Sequence, residues 1–227
     1  MSNALAQYEL QKKEVELLLS FHSELHEYRT KSGSETRGRR SAEFEVLHKS
    51  AIVLLTACWE AYIENSLTEA IRAIASSLKD PLDLPEDLRR SIALTKSAKL
   101  SVSSKNELYP WYFVGDRWRS LLLEFSKLKI SELNTPDSSS VREAMKSLLE
   151  IPDLTESWGR QGNAAKDAAD QLDEYLIDRH MIAHGAILGK KFTKSYVTDY
   201  LAFLDITIGK TEESVANRLR ELGLSIS

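Results

Sequence analysis

Between Ser41 and Leu78 the chain contains neither a proline nor a glycine. A helix can therefore run through the whole stretch, and at the usual rise per residue it would be about 55 Å long. Its middle, "SAIVLLTACWEAYIENSL", is apolar on nearly every side. A helix of that kind is stable only when surrounded, so the stretch predicts a central buried helix with other long helices packed around it.

The flanking sequence supplies those helices. From Leu5 to about Arg29 the apolar positions Tyr8, Val15, Leu18, Leu19 and Leu25 recur at helical spacing. The run "TKSGSETRGRR" reads as an exposed loop, with Ser41 as the N-cap of the central helix and Glu43 and Glu45 in its first turn. Pro81 ends that helix, and Pro85 suits the first position of a shorter one reaching about Leu100. The segment "SVSSKNELYPWYFVG" has no helical period, and residues 101–135 are expected to form a less regular connection or helical insertion, with a helix resuming near Asp116. Ser140 to Glu143 matches a capping box and opens a helix to about Leu149. A helix over 164–184 follows the "GRQGN" turn and is capped by Gly185. The last helix, about 194–222, carries the stripe Val197, Leu201, Leu204, Ile208, Val215, Leu219 and Leu222. Five prolines and nine glycines in 227 residues suit this reading, and no hairpin signal competes with it. The expectation is one all-α domain over 1–227, with long antiparallel core helices and a helical insertion.

Charge and cysteine use narrow the function. A net charge of −4 gives no global attraction to nucleic acid or membrane, so any anion site must be local. The lone Cys58 excludes an intrachain disulfide and a cysteine-based zinc site, and fits a reducing compartment. No charged segment followed by an apolar one opens the chain, and the run "AIVLLTACW" is far short of the roughly 20 residues of a membrane span. The chain reads as a cytoplasmic protein without a membrane segment.

Chemistry concentrates in "RHMIAHG", residues 179–185. On a helical wheel Leu172, Leu176, Arg179 and Ala183 fall on one stripe, so Arg179 takes a place where the pattern asks for an apolar side chain. An inward guanidinium needs a carboxylate or phosphate partner. His180 and His184 are four residues apart and lie roughly 40° from each other, whereas Arg179 and His184 are about 140° apart. The latter two converge best in a groove or across two copies of the helix.

"RHMIAHG" resembles the Arg-x4–6-His motif of the HEPN superfamily (higher eukaryotes and prokaryotes nucleotide-binding domains), whose members commonly place a polar residue directly after the arginine. "LLTACWEAYIENSL" is similar to the Trp-Glu-aromatic-aliphatic signature of its RiboL-PSP-HEPN-like branch. The order of "NTPDSSSVREAMKSLL", "LDEYLIDRHMIAHG" and a long final helix also follows that branch. The resemblance spans about residues 1–222. It implies a helical bundle that forms homodimers with two motifs lining one cleft. Many members are metal-independent endoribonucleases, often toxins or defence nucleases, so RNA is the implied substrate and an antitoxin or other protein a possible partner. No cofactor or metal is implied. The motif assigns Arg179, His184 and His180 as catalytic residues. The chemistry fits on its own terms: histidine serves as base or acid near neutral pH, and arginine is a fixed two-pronged donor for phosphate oxygens. The alternative within the family is a non-catalytic module that binds RNA, a nucleotide or a protein through the same groove.

Other readings of these residues remain open in the sequence. Arg179 can pair with Glu60 inside the bundle, and Glu60 can equally orient an arginine that holds phosphate. His180 and His184 have the spacing of a metal pair, with no acidic residue between them as in His-Glu-x-x-His and no evident third ligand. His22 and His26 share that spacing and read as packed or interface histidines. Trp59 and Tyr62 read as core. Arg37, Arg39 and Arg40 read as a solvated loop in preference to an RNA contact, and Tyr109, Trp111 and Tyr112 as aromatics folded back on the core.

Overall fold

The computed structural model describes residues 1–31, 37–99, 115–159, 165–185 and 190–224. Their α-helices are α1 (Asn3–Lys31), α2 (Arg37–Ser77), α3 (Glu86–Lys99), α4 (Arg117–Ser131), α5 (Ser138–Leu149), α6 (Ala165–Ala183) and α7 (Lys194–Glu221), with short 3-10 turns at Pro81–Asp83 and Leu154–Trp158. No strand occurs among the described residues. The fold is all-α.

α2 is the axis of the bundle, and α1, α4, α5, α6 and α7 all pack against it. Its Ile52, Leu55, Trp59, Tyr62, Ile63, Leu67, Ile71 and Ile74 are buried. The side chains that reach across it are large and often polar at the tip. Tyr8 of α1 meets Tyr62 edge-on at 6.4 Å, and its hydroxyl donates to Asp205 of α7 at 2.8 Å. Lys12 donates to the same carboxylate at 2.9 Å, so α1 and α7 are tied together beside α2. By length and composition alone Phe44–Ser77 could cross a membrane, more than the short run "AIVLLTACW" suggested; half of its most apolar window is buried in the bundle.

Several boundaries differ from the sequence reading, each for a local reason. α2 starts at Arg37, so Ser41 lies inside it and the backbone of Arg37, Arg39 and Arg40 is helical. Arginine is a good helix former, and one glycine near a helix end lowers stability by only about 1 kcal/mol. α5 starts at Ser138 with Asp137 as its cap, whose carboxylate accepts from the Ser140 amide at 2.7 Å. The serine run therefore sits in the first turn, where Ser138 donates its amide and hydroxyl to Asp173 of α6 at 2.8 and 2.7 Å. The less regular segment expected over 101–135 contains the regular helix α4, held by buried Trp118, Leu121, Leu122 and Phe125. Residues 101–114, with Tyr109, Trp111 and Tyr112, lie outside the described residues.

Candidate active site

α6 buries Ala168, Leu172, Tyr175 and Leu176 against the bundle. One turn beyond Leu176 the same face presents Arg179, which is only partly covered, and Ala183 is exposed. The apolar stripe thus fades into solvent over the last turn of the helix. Glu60 of α2 faces Arg179, with Nη2 and Oε1 3.9 Å apart. That separation is an ion pair but too long for a hydrogen bond. The Arg179 Nε and the Glu60 Oε1 are both shielded from water and neither has a hydrogen-bond partner. Burial raises the Glu60 carboxyl above its ordinary range; Arg179 opposes this and Glu64 adds to it. The Arg179 side chain is 29% exposed, so an incoming oxyanion meets its exposed part and not the shielded Nε.

Beyond Arg179, both histidines are exposed. Their ring centres are 4.3 Å apart, tilted by 53°. The backbone explains why they stand free. His184 closes a last bond to the His180 carbonyl at 3.1 Å, and Gly185 adopts a left-handed φ of 64° that turns the chain away. The turn therefore presents two adjacent imidazoles to solvent beside a half-covered arginine with open donor capacity.

Asp178, directly before Arg179, was not singled out in the sequence. Only 6% exposed, it accepts from Lys190 Nζ at 2.7 Å and from the Tyr196 hydroxyl. Burial and the Asp178 carboxylate drive the Tyr196 hydroxyl far above its ordinary titration, so it remains a donor. The Lys190 ammonium lies 4.6 Å from the Tyr196 ring centre. Together these contacts draw the chain after the motif back onto the last turn of α6. The signal was an acid on the face of α6 that turns toward the stripe of α7, visible only once the two helices are paired.

The other chemically able residues separate from this turn. Trp59 and Tyr62 are buried and cannot stack on a base. His22 and His26 gather with His48, which the sequence reading passed over. The side chains of Arg37, Arg39 and Arg40 lie outside the described residues. Among the described residues no group of three or more His, Cys, Asp or Glu could hold a metal ion.

The model of the RiboL-PSP-HEPN family matches residues 12–217, which include both the "WEAYIEN" helix and the "RHMIAHG" turn, and the chain belongs to that family. No curated protein and no solved structure matches it.

Proposed function

We propose that the chain is a metal-independent endoribonuclease in which Arg179 holds the scissile phosphate and His184, with His180 beside it, moves protons. The observation that carries this reading is the partly exposed Arg179 side chain, in a loose ion pair with Glu60 and within a turn of two exposed imidazoles. A neutral imidazole takes the proton of a ribose 2′-hydroxyl, the oxygen bonds to the adjacent phosphorus, and the bond from phosphorus to the 5′ oxygen breaks. The leaving oxygen takes its proton from an imidazolium, and a 2′,3′-cyclic phosphate remains. Arg179 meets the charge that builds on the phosphate oxygens. Glu60 keeps the guanidinium in place without occupying its Nε.

Two copies are proposed to share one cleft, because Arg179 and His184 diverge by about 140° on a single ideal helix. The surface beside the site supports this. Val46, Ser50 and Ala57 of α2 are exposed, small or apolar, and project about 40–80° from Glu60 on the wheel. A two-fold contact there sets one motif near its twin. A cytoplasmic toxin or defence nuclease, held in check by an antitoxin or other protein, is the role proposed for such an enzyme.

One observation favours the second reading, a non-catalytic module binding RNA, a nucleotide or a protein. Upstream of the motif the outer face of α6 carries exposed Asp167, Asp170 and Glu174, which repel a polyanion. Incubation with total RNA in EDTA separates the two. Cleavage that persists in chelator and leaves 2′,3′-cyclic ends is the expected result, because histidines that exchange protons must be free of metal. Absence of cleavage supports the binding module. Cleavage that stops in chelator and returns with zinc or manganese makes His180 and His184 metal ligands instead.

A further inference from the structure

A second group of histidines lies in the contact between α1 and α2. His48 is 6% exposed, and its Nδ1 is 2.8 Å from the carbonyl oxygen of Phe192. A carbonyl only accepts, so Nδ1 carries the proton and the Nε2 of the neutral ring is a bare lone pair. That Nε2 is shielded from water and has no partner. The His22 ring is centred 5.0 Å from that of His48 and 4.4 Å from that of Phe44, and its Nδ1 is also buried without a partner. Neither of these two nitrogens has an acceptor in place for an N–H.

The charged groups around His22 make a second proton on it less welcome still. His26 of α1 stacks on His22 at 6.5 Å. Lys194 of α7 lies alongside, its Nζ donating to Ser23 at 2.8 Å. Glu45 feels both His48 and Lys191, and its carboxylate is already paired with Lys49 at 2.8 Å. Burial first, then His48, Lys194 and His26, hold His22 below the ordinary histidine range. A metal cation would meet Lys194 as well, and the described residues bring no three ligating groups together.

We propose that His22 and His48 form an acid-sensitive clasp between α1 and α2, closed while both rings are neutral and loosened when either takes a second proton. The consequence reaches the candidate site through the backbone. Phe192 directly precedes Thr193, whose side chain caps α7, and Tyr196 in the first turn of α7 donates to Asp178 beside Arg179. A proton on Nε2 leaves the Nδ1–H on the Phe192 carbonyl, so a displacement of His48 is passed to the segment that holds the end of α6. This inference stands whether or not the chain cleaves RNA. Its sign follows from linkage: with His22 depressed in the folded chain, the unfolded chain binds more protons, so stability is full above the ordinary histidine range and is lost as pH falls through the folded titration.

Hydrogen exchange of the full chain at about pH 7.5 and about pH 5.5, corrected for intrinsic rates, tests the clasp across the histidine range. Residues 15–28 and 190–196 are expected to lose protection at the lower pH that α5 keeps. His22→Phe, which places an apolar ring against Phe44, is expected to remove that loss. His48→Gln keeps a donor for the Phe192 carbonyl without a titrating nitrogen and decides the matter if the first variant does not fold. Even loss of protection in the unaltered chain, or the local loss retained in a folded variant, overturns the clasp. So does a His22 ring in that chain whose NMR titration lies at or above the ordinary value, a measurement that needs no variant.

Discussion

Replacing Arg179 or His184 with alanine is expected to lower RNA cleavage by about 10²–10⁴-fold while helix content and melting behaviour stay near those of the unaltered chain. Loss of activity and retention of structure are both expected from the same facts. Arg179 makes one long ion pair and no hydrogen bond from its Nε, so its removal breaks little within the bundle. Glu60, left behind, already has a carboxyl raised by burial and takes up a proton more readily than an ordinary one. His184 is exposed and touches chiefly the ring of His180. A tightly made buried pair behaves otherwise: cutting one partner destabilises a protein by about 3–5 kcal/mol. Unfolding of Arg179→Ala would thus return the arginine to a structural role, and full activity in either variant would remove the residue from the site. His180→Ala is expected to lose less than His184→Ala, since it stands beside the reacting group. If the cleft is shared, mixed Arg179→Ala and His184→Ala chains regain part of the activity as heterodimers. A fully active monomer in sedimentation at assay concentration would end the shared-cleft model.

The long proline- and glycine-free stretch and the apolar stripes made the bundle and α2 as its axis legible in the sequence, because each rests on periodicity within one helix, and the resemblance of two short motifs made the family legible. What escaped depends on pairs of helices. Asp178 looks like one more acid in an acidic helix until α7 brings Tyr196 to it. His48 looks like a polar residue near the start of α2 until α1 brings His22 and the chain before α7 brings the Phe192 carbonyl. Helix starts slipped for a different reason: several cap-competent residues stand in a row, as in "PDSSS", and tertiary contacts choose among them. Asp173 draws Ser138 into the first turn, which leaves Asp137 as the cap. The looseness of the Arg179–Glu60 pair is a matter of a single ångström, and no spacing rule carries it.

Trp59→Ala is expected to produce the largest loss of stability of any substitution considered for this chain. Trp59 is fully buried, and its Nε1 donates to the Pro136 carbonyl at 2.8 Å, fixing the approach to α5. Its ring meets Trp158 edge-on at 5.8 Å, and Trp158 Nε1 donates in turn to Thr211 of α7 at 3.0 Å. Truncation to alanine removes about 3–5 kcal/mol of packing, adds about 1–3 kcal/mol for the stranded Pro136 carbonyl, and loses part of an aromatic pair. Against a total of about 5–15 kcal/mol for a domain, that leaves little or nothing. Urea denaturation followed by helix content is expected to show a variant unfolded, or nearly so, without denaturant. Trp59→Phe keeps most of the volume and forfeits the hydrogen bond, so a loss of about 1–3 kcal/mol with cleavage largely intact is expected. The pair of results assigns the two halves of the "WE" signature to different work: the indole closes the core, and Glu60, turned about 100° further round α2, faces the motif. A Trp59→Phe chain that kept its stability but lost cleavage would place the indole in contact with substrate, and the division between core and site drawn for α2 would be wrong.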